Sequence, residues 1–300
     1  MATPADPKPI AGAQRDAPET SGVPWLDLLA ASWSPGSVRQ HSMAFGDDPD
    51  QTLIAFLPKE AQPGPWVYFL FGGGWTNGSP RLWSWAGNWF AHHGIPAVLG
   101  GYRLAPDHLF PQQLDDALAG FSFALAHAEE LGIDGRPAVL AGASAGGHLV
   151  ALSVLQIARD ALKPEAGDRR IHADALLLIN APLDFPTAHT PEGKGAIESL
   201  TGHKPPWPEA DALTWVTAQP LSADAIPQTM LVQGEVDELV APVAAEHFAA
   251  AVNTLAPGRA EVVHAPWQEH ADLTRLFLDK DPELSARVID WLRSVPHPRS

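Results

Sequence analysis

A serine between small residues is the strongest chemical signal in this sequence. Ser144 lies in residues 142–146, which read GASAG, after an apolar segment and before an apolar helical pattern. A serine at such a strand-to-helix turn is held in a strained backbone conformation that exposes its hydroxyl, and bulky side chains two residues away would collide across the turn. The Gly-x-Ser-x-Gly pattern is short enough to occur by chance, so Ser144 is a candidate nucleophile that needs support from other residues.

Short apolar segments alternate with helical patterns, and this order predicts the scaffold that would position Ser144. The predicted strands are residues 51–57, 66–71, 96–100, 137–141, 175–179, 229–232 and 260–264. The predicted helices are residues 112–131, 148–161, 243–255 and 282–295. Such alternation predicts an α/β fold with a mostly parallel central sheet covered by helices on both faces. Ligands bind beyond the carboxyl ends of such strands, so the loops that follow them are expected to carry the site.

Two further loops after predicted strands carry groups that would assist a serine nucleophile. Residues 72–74 are three consecutive glycines, which can take positive φ and turn backbone N–H groups toward one point, as stabilisation of an oxyanion requires. The N–H group of Ala145, directly after the serine, would add another donor. The loop after residues 229–232 carries three acids that could each orient an imidazole, namely Glu235, Asp237 and Glu238.

His270 is the best placed general base among the 13 histidines. It follows the last predicted strand, whereas His264 lies within that strand. His148 comes just after the serine turn on a helix that we predict to be buried, so we interpret it as a core or hydrogen-bonded residue. A serine, a histidine and a carboxylate would act together as nucleophile, general base and orienting acid in acyl transfer.

The composition predicts a soluble globular protein and excludes several classes of function. The chain has 300 residues, a formal net charge of -16 and no cysteine. Nucleic-acid binding needs clustered Lys and Arg residues, which the sequence lacks, so we exclude a nucleic-acid partner. The absence of cysteine rules out disulfides and thiolate metal sites. No apolar run reaches the roughly 18 residues that cross a bilayer, so we expect no membrane insertion and, by default, a cytoplasmic protein.

The chain is predicted to fold as one domain behind an N-terminal tail. Residues 1–22 are rich in proline, alanine and charged residues and lack the apolar stretch of a secretory signal, so we interpret them as flexible. Residues 23–300 show no internal repeat or heptad register that would divide them. A single α/β domain of this length is expected.

The order of the candidate residues resembles that of serine esterases with the α/β-hydrolase fold. A glycine loop, Ser144, an acid and then His270 follow one another as in hormone-sensitive-lipase-like and related bacterial carboxylesterases. Residues 102–108, YRLAPDH, look like the segment after the fourth strand in this family. The family carries its triad acid in a G-x-x-D-x-x-V segment, and GEVDELV at residues 234–240 matches it, which implies Asp237. The resemblance extends from about residue 51 to the C-terminus.

The resemblance implies a serine hydrolase that cleaves small carboxylic esters with no metal or organic cofactor. The implied oxyanion donors are the N–H groups of Gly73, Gly74 and Ala145. Phe71 departs from the family, because a histidine usually precedes the three glycines. Since the donors are backbone groups, we expect this change to alter loop geometry and substrate preference rather than abolish the oxyanion hole. The expected partner is a small ester, and the oligomeric state, a homodimer included, is left open.

Aromatic residues near the glycine loop and in a later insertion predict an apolar substrate pocket. The residues assigned to it are Trp75, Trp83, Phe185 and Trp215. Relatives carry a cap over the site at the position of residues 185–225, and residues 23–40 are expected to contribute its other part.

Two other functions are compatible with the sequence. Kynurenine-formamidase-like enzymes share the triad and a related glycine-tryptophan loop, so formamide hydrolysis is one alternative. The fold has also been reused for ligand binding without catalysis where triad members are lost. Retention of Ser144, Asp237 and His270 argues against that second alternative.

Overall fold

The computed structural model describes residues 38–162 and 171–296. Within these ranges the chain forms one eight-stranded sheet and seven α-helices. The predicted tail, residues 1–22, lies outside the described residues, and so does the 23–37 part of the predicted N-terminal cap element.

The sheet is mostly parallel, as the alternation of elements predicted. Its strands are β1 (Val38–Ala44), β2 (Thr52–Pro58), β3 (Trp66–Leu70), β4 (Ala97–Gly100), β5 (Ala138–Ala143), β6 (Ala175–Ile179), β7 (Gln228–Gly234) and β8 (Ala260–Ala265). Their spatial order is β1-β2-β4-β3-β5-β6-β7-β8. β2 pairs antiparallel with both of its neighbours, and the other neighbouring strands are parallel. The carboxyl ends of seven strands, all except β2, therefore lie at one edge.

Helices cover both faces of the central strands. They are α1 (Ser84–His92), α2 (Gln112–Ala126), α3 (Ala145–Asp160), α4 (Pro191–Thr201), α5 (Ala212–Ala218), α6 (Val243–Leu255) and α7 (Pro282–Arg293). Successive side chains of a strand point to opposite faces, and every residue of β3, β5 and β6 is buried. This double burial explains why these strands are continuous apolar sequences rather than alternating ones.

The first strand was not predicted, because its sequence carries no apolar alternation. β1 reads VRQHSMA, and four of its seven residues are exposed, as an edge strand allows. It pairs with β2 over its whole length, from Val38 opposite Pro58 to Ala44 opposite Thr52. Residues 38–40, which we assigned to the cap, thus belong to the sheet.

Three helices were also missing from the prediction. α1 is buried at seven consecutive residues, 85–91, so it has no polar face that would reveal a helical period. α4 contains two glycines and buries only Ile197 and Leu200, which weakens its apolar pattern. α5 has only seven residues and begins after Asp211, whose side chain accepts the N–H of Thr214. No helix within residues 38–162 and 171–296 is long and apolar enough to cross a membrane.

Candidate active site

The turn between β5 and α3 holds Ser144 in a conformation that non-glycine residues rarely adopt. Its φ is 50° and its ψ is -123°. A Cβ at Gly142 would clash with the backbone of Gly146 and Gly147, at distances of 2.5–2.6 Å. A Cβ at Gly146 would clash with the carbonyl oxygens of Leu70 and Phe71. The two motif glycines are therefore required by close backbone approach, as the sequence predicted.

We expect Gly146→Ala to destabilise the fold. The added methyl group would meet main-chain atoms of the β3 end, which cannot rotate away as a side chain can. Overpacking of this kind costs about 1–3 kcal/mol. Urea denaturation monitored by tryptophan fluorescence measures the change in unfolding free energy. The matched control is Gly195→Ala on α4, where an added Cβ meets nothing within 4 Å; an equal stability of the two variants would contradict the packing argument.

His270 links Ser144 to Asp237 through both nitrogens of its ring. Its Nε2 lies 3.0 Å from Ser144 Oγ, and its Nδ1 lies 2.8 Å from Asp237 Oδ2. The three residues come from loops after β5, β7 and β8, which meet at the carboxyl edge of the sheet. With Nδ1–H donating to the carboxylate, Nε2 is left as the acceptor for the serine hydroxyl. This is the geometry that a general base requires.

Of the three candidate acids, only Asp237 contacts the imidazole. Its Oδ1 accepts the backbone N–H groups of Leu239 and Val240, at 2.9 and 2.8 Å. Its side chain is fully buried, whereas Glu235 and Glu238 are exposed. The carboxylate of Glu238 instead accepts the backbone N–H of His270 at 3.3 Å.

Asn180 is a site residue that the sequence analysis missed. It directly follows β6, takes a positive φ of 44°, and is buried. Its Oδ1 accepts the N–H of Gly234 at 2.8 Å, and its Nδ2 donates to the carbonyl of His270 at 3.2 Å. It therefore ties the end of β7 to the loop that carries His270. A polar residue at the carboxyl end of a buried strand was the signal that could have revealed it.

The glycine loop lies directly beside the serine turn. A Cβ at Gly72 would lie 3.0 Å from Ser144 Cβ, and Gly73 and Gly74 take positive φ values of 145° and 59°. Within residues 38–162 and 171–296, the N–H groups of Gly73, Gly74 and Ala145 have no hydrogen-bond partner. Unpaired backbone donors at a cavity wall are available to a ligand.

Phe71 holds its place in the loop by stacking. Its ring lies 4.4 Å from that of Tyr102 at an interplanar angle of 12°. The hydroxyl of Tyr102 also donates to the carbonyl of Phe71 at 2.9 Å. The start of the glycine loop is therefore held by an aromatic stack and by a hydrogen bond from the Tyr102 hydroxyl.

A cavity of about 760 Å³ opens in front of Ser144 and His270. Gly73, Gly74 and Ala145 line it, and so do the predicted pocket residues Trp75, Trp83 and Phe185. The insertion between β6 and β7 supplies one wall, through residues of α4 that include Glu192, Ala196 and Ile197. The cavity is thus enclosed by the glycine loop, the serine turn and the insertion.

Trp215 was assigned to the pocket but packs elsewhere. It lies on α5, its Nε1 donates to the carbonyl of Glu209 at 2.9 Å, and the guanidinium of Arg159 on α3 lies 5.2 Å from its ring centre. It is not among the described residues that line the cavity. Its aromatic side chain therefore anchors the insertion to α3 instead of contacting a substrate.

His148 is a buried core residue, as its position after the serine turn suggested. Its Nε2 donates to the carbonyl of Ala210 at 2.6 Å. Its ring lies 4.9 Å from that of Phe185 and 5.2 Å from that of Trp75, two residues of the cavity wall. Burial lowers the pKa of His148 from 6.5 to about 4, so the ring is neutral at pH 7.

We expect this burial to make the fold less stable in acid. The unfolded chain binds a proton at His148 below pH 6.5, whereas the folded protein binds it only near pH 4, so stability falls as the pH drops through that window. Between pH 7 and pH 5 the loss from this residue is about 2 kcal/mol. Urea denaturation at both pH values measures the free energy of unfolding. Its decrease from pH 7 to pH 5 should be smaller by this amount in His148→Gln than in the wild-type protein. An equal fall in the two proteins would contradict the assignment.

The described residues include no group of three or more histidine, aspartate and glutamate side chains suited to hold a metal ion. The polar groups around Ser144 include its own hydroxyl, the imidazole of His270, the carboxylate behind that imidazole and unpaired backbone N–H groups. This combination suits attack on a carbonyl carbon with stabilisation of the resulting oxyanion.

Comparison with known proteins identifies the fold family of the chain. Residues 67–271 match a family model described as the α/β hydrolase fold. Esterase LipC of Mycobacterium tuberculosis is 32% identical over an alignment of 170 residues that covers 54% of this chain and 41% of that protein. Ethyl acetate hydrolase of Pseudomonas putida is 31% identical over an alignment of 132 residues that covers 41% of this chain and 40% of that protein. The matches thus span less than half the length of these two relatives.

Solved structures share the fold over most of the chain. A bacterial heroin esterase aligns with a TM-score of 0.71 over 91% of this chain and 87% of its own, at 22% identity. Esterase B from Lactobacillus rhamnosis aligns with a TM-score of 0.71 over 90% of this chain and 91% of its own, at 20% identity. At such identities the likeness establishes the fold.

Proposed function

Because the chain belongs to the α/β-hydrolase fold family, we propose that it is a carboxylic ester hydrolase that forms an acyl-enzyme on Ser144. The observation that carries this proposal is the hydrogen-bond chain from Ser144 through His270 to the buried Asp237. The esterase and ethyl acetate hydrolase activities for which two relatives are named support the same class of reaction.

The reaction proceeds in two steps. Ser144 Oγ attacks the ester carbonyl while His270 Nε2 takes its proton, and Asp237 stabilises the imidazolium that forms. His270 then protonates the leaving alcohol as the C–O bond breaks, which leaves the acyl group on Ser144. A water molecule enters, gives a proton to His270 and attacks the acyl carbon. His270 then returns the proton to Ser144 Oγ as the bond between this oxygen and the acyl carbon breaks, which releases the acid and restores the serine.

The N–H groups of Gly73, Gly74 and Ala145 form the oxyanion hole in this proposal. Their position in the cavity wall and their lack of partners in the described part of the chain support the assignment. Because they are backbone groups in a packed loop, they need little reorganisation when charge develops on the carbonyl oxygen.

The size and walls of the cavity support small esters as substrates. Its volume of about 760 Å³ suits a small organic molecule rather than a polymer chain. Aromatic and aliphatic side chains that include Trp83, Phe185 and Phe277 line it, which favours apolar acyl or alcohol groups.

A fluorophosphonate probe and a substrate panel test the proposal. The probe should label Ser144 in the folded protein, and mass spectrometry of the digested protein locates the adduct. p-Nitrophenyl acetate and butyrate should be hydrolysed faster than N-formylkynurenine. Preference for the formamide would identify the amide-hydrolysing alternative, and a folded protein that is neither labelled nor active on any of these compounds would refute the proposed chemistry.

A further inference from the structure

A second buried carboxylate lies in the wall of the same cavity. Asp184 follows β6 at the start of the insertion and is only 6% exposed, yet it lines the cavity beside Ser144 and His270. Its Oδ2 accepts a hydrogen bond from Nδ1 of His247 on α6 at 2.6 Å. Within the described residues its other oxygen, Oδ1, has no hydrogen-bond partner. This carboxylate therefore has free acceptor capacity at the cavity wall.

The charge of the cavity favours a positively charged ligand. Among the described residues that line it, the ionisable side chains are Asp184, Glu192 and His270, and none is lysine or arginine. The formal charge of the whole chain is -16. A negatively charged substrate would meet two carboxylates and no cation, whereas a positively charged one would be attracted.

A purely structural role explains only half of these contacts. The hydrogen bond from His247 holds the start of the insertion against α6, and it uses a single oxygen of the carboxylate. Oδ1 is not among the enclosed side-chain atoms without a partner in the described part of the chain, so a molecule in the cavity can reach it. A ligand that brings a hydrogen-bond donor to Oδ1 would use this free acceptor, and a charge-assisted bond would do so most strongly.

We propose that Asp184 forms a subsite for a protonated amine carried by the ester substrate. This inference rests on the proposed ester hydrolysis and specifies its substrate class: small esters with an ammonium group a few atoms from the carbonyl. The ammonium N–H donates to Asp184 Oδ1 while the carbonyl lies at Ser144, and the apolar walls hold the intervening methylene groups.

Matched ester pairs test the subsite. One series consists of butyrate esters of dimethylamino-alcohols with two, three or four methylene groups, and the other of ethyl esters of dimethylamino acids with the same spacings. Each is compared, by pH-stat titration at pH 7, with the ester in which carbon replaces the protonated nitrogen. We expect kcat/KM to be about ten-fold or more higher for the ammonium member of at least one pair. The two series distinguish an ammonium group on the alcohol side from one on the acyl side.

Asp184→Asn should abolish this preference, with a loss of kcat/KM at least about ten-fold larger for the ammonium ester than for the neutral ester. Glu198→Gln is the matched control: it removes one negative charge from α4 at a residue outside the cavity lining and should keep the preference. If the wild-type kcat/KM values of the two esters are nearly equal in every pair, the inference is overturned. It is also overturned if Asp184→Asn lowers kcat/KM equally for both esters of a pair, because a purely structural role predicts that result.

Binding to Ser144→Ala gives a second readout that is independent of turnover and of the folding of Asp184→Asn. Calorimetry should show tighter binding of 3-(dimethylamino)propan-1-ol than of 4-methylpentan-1-ol, and equal binding overturns the subsite. If the p-nitrophenyl esters and both of these series remain unhydrolysed and the fluorophosphonate does not label the protein, the proposed function fails, whereas this binding comparison still decides whether the subsite exists.

Discussion

We expect Ser144→Ala to lower kcat for p-nitrophenyl butyrate by about 10⁴-fold or more. The hydroxyl is the atom that forms the acyl-enzyme, and alanine leaves His270 Nε2 without a group to deprotonate at this position. Residual hydrolysis would come from the oxyanion donors and from a water molecule activated by the imidazole. Steady-state and burst kinetics at pH 7 measure the change.

Ser153→Ala is the matched control for the loss of a serine hydroxyl. Ser153 lies on the same helix, α3, and its Oγ donates only to the carbonyl of Leu149 within that helix. Its removal should leave both kcat and fluorophosphonate labelling within about two-fold of wild type. If Ser144→Ala kept more than a tenth of the activity while remaining folded, another residue would have to be the nucleophile.

Ser144 and His270 could be identified from the sequence because each follows a strand of one mostly parallel sheet, whereas Asp237 was chosen among three acids of its loop only through the family resemblance. Ser144 and His270 are 126 positions apart in the chain, and His270 and Asp237 are 33 apart. Parallel strands direct their carboxyl ends to the same edge, so distant loops converge there whatever their separation in sequence. The apolar strands themselves are recognisable because burial on both faces demands continuous apolar residues.

The cavity wall was harder to predict than the reacting groups. Aromatic side chains indicate burial but not the cavity that they face, which is why Trp215 was placed in the pocket although it packs on α3. Asn180 has no motif around it, and its role depends on two hydrogen bonds to other loops. Edge strand β1 and helix α4 lack a clear apolar period because each buries few residues. These features depend on tertiary contacts that no local pattern records.

We expect Asp237→Asn to lower kcat by about 10⁴-fold, because it reverses the direction of a hydrogen bond. Oδ1 of Asp237 accepts two backbone N–H groups, those of Leu239 and Val240. In the variant only the amide oxygen can keep these bonds, so the NH₂ group is turned toward His270 Nδ1. A donor at that position forces the ring proton onto Nε2, which then donates to Ser144 and cannot accept its proton. The pH profile of kcat, compared with that of wild type, measures the loss.

Glu235→Gln is the matched control for the removal of one negative charge from the same loop. Glu235 is exposed, so we expect kcat to stay within about two-fold of wild type. A general electrostatic effect of the acidic loop would lower kcat similarly in both variants, whereas tautomer control predicts a large loss only in Asp237→Asn. If Glu235→Gln remained folded and it alone lost most of its kcat, the assignment of Asp237 would be contradicted. Such a result would require a rearrangement of the loop that brings Glu235 to the imidazole in place of Asp237.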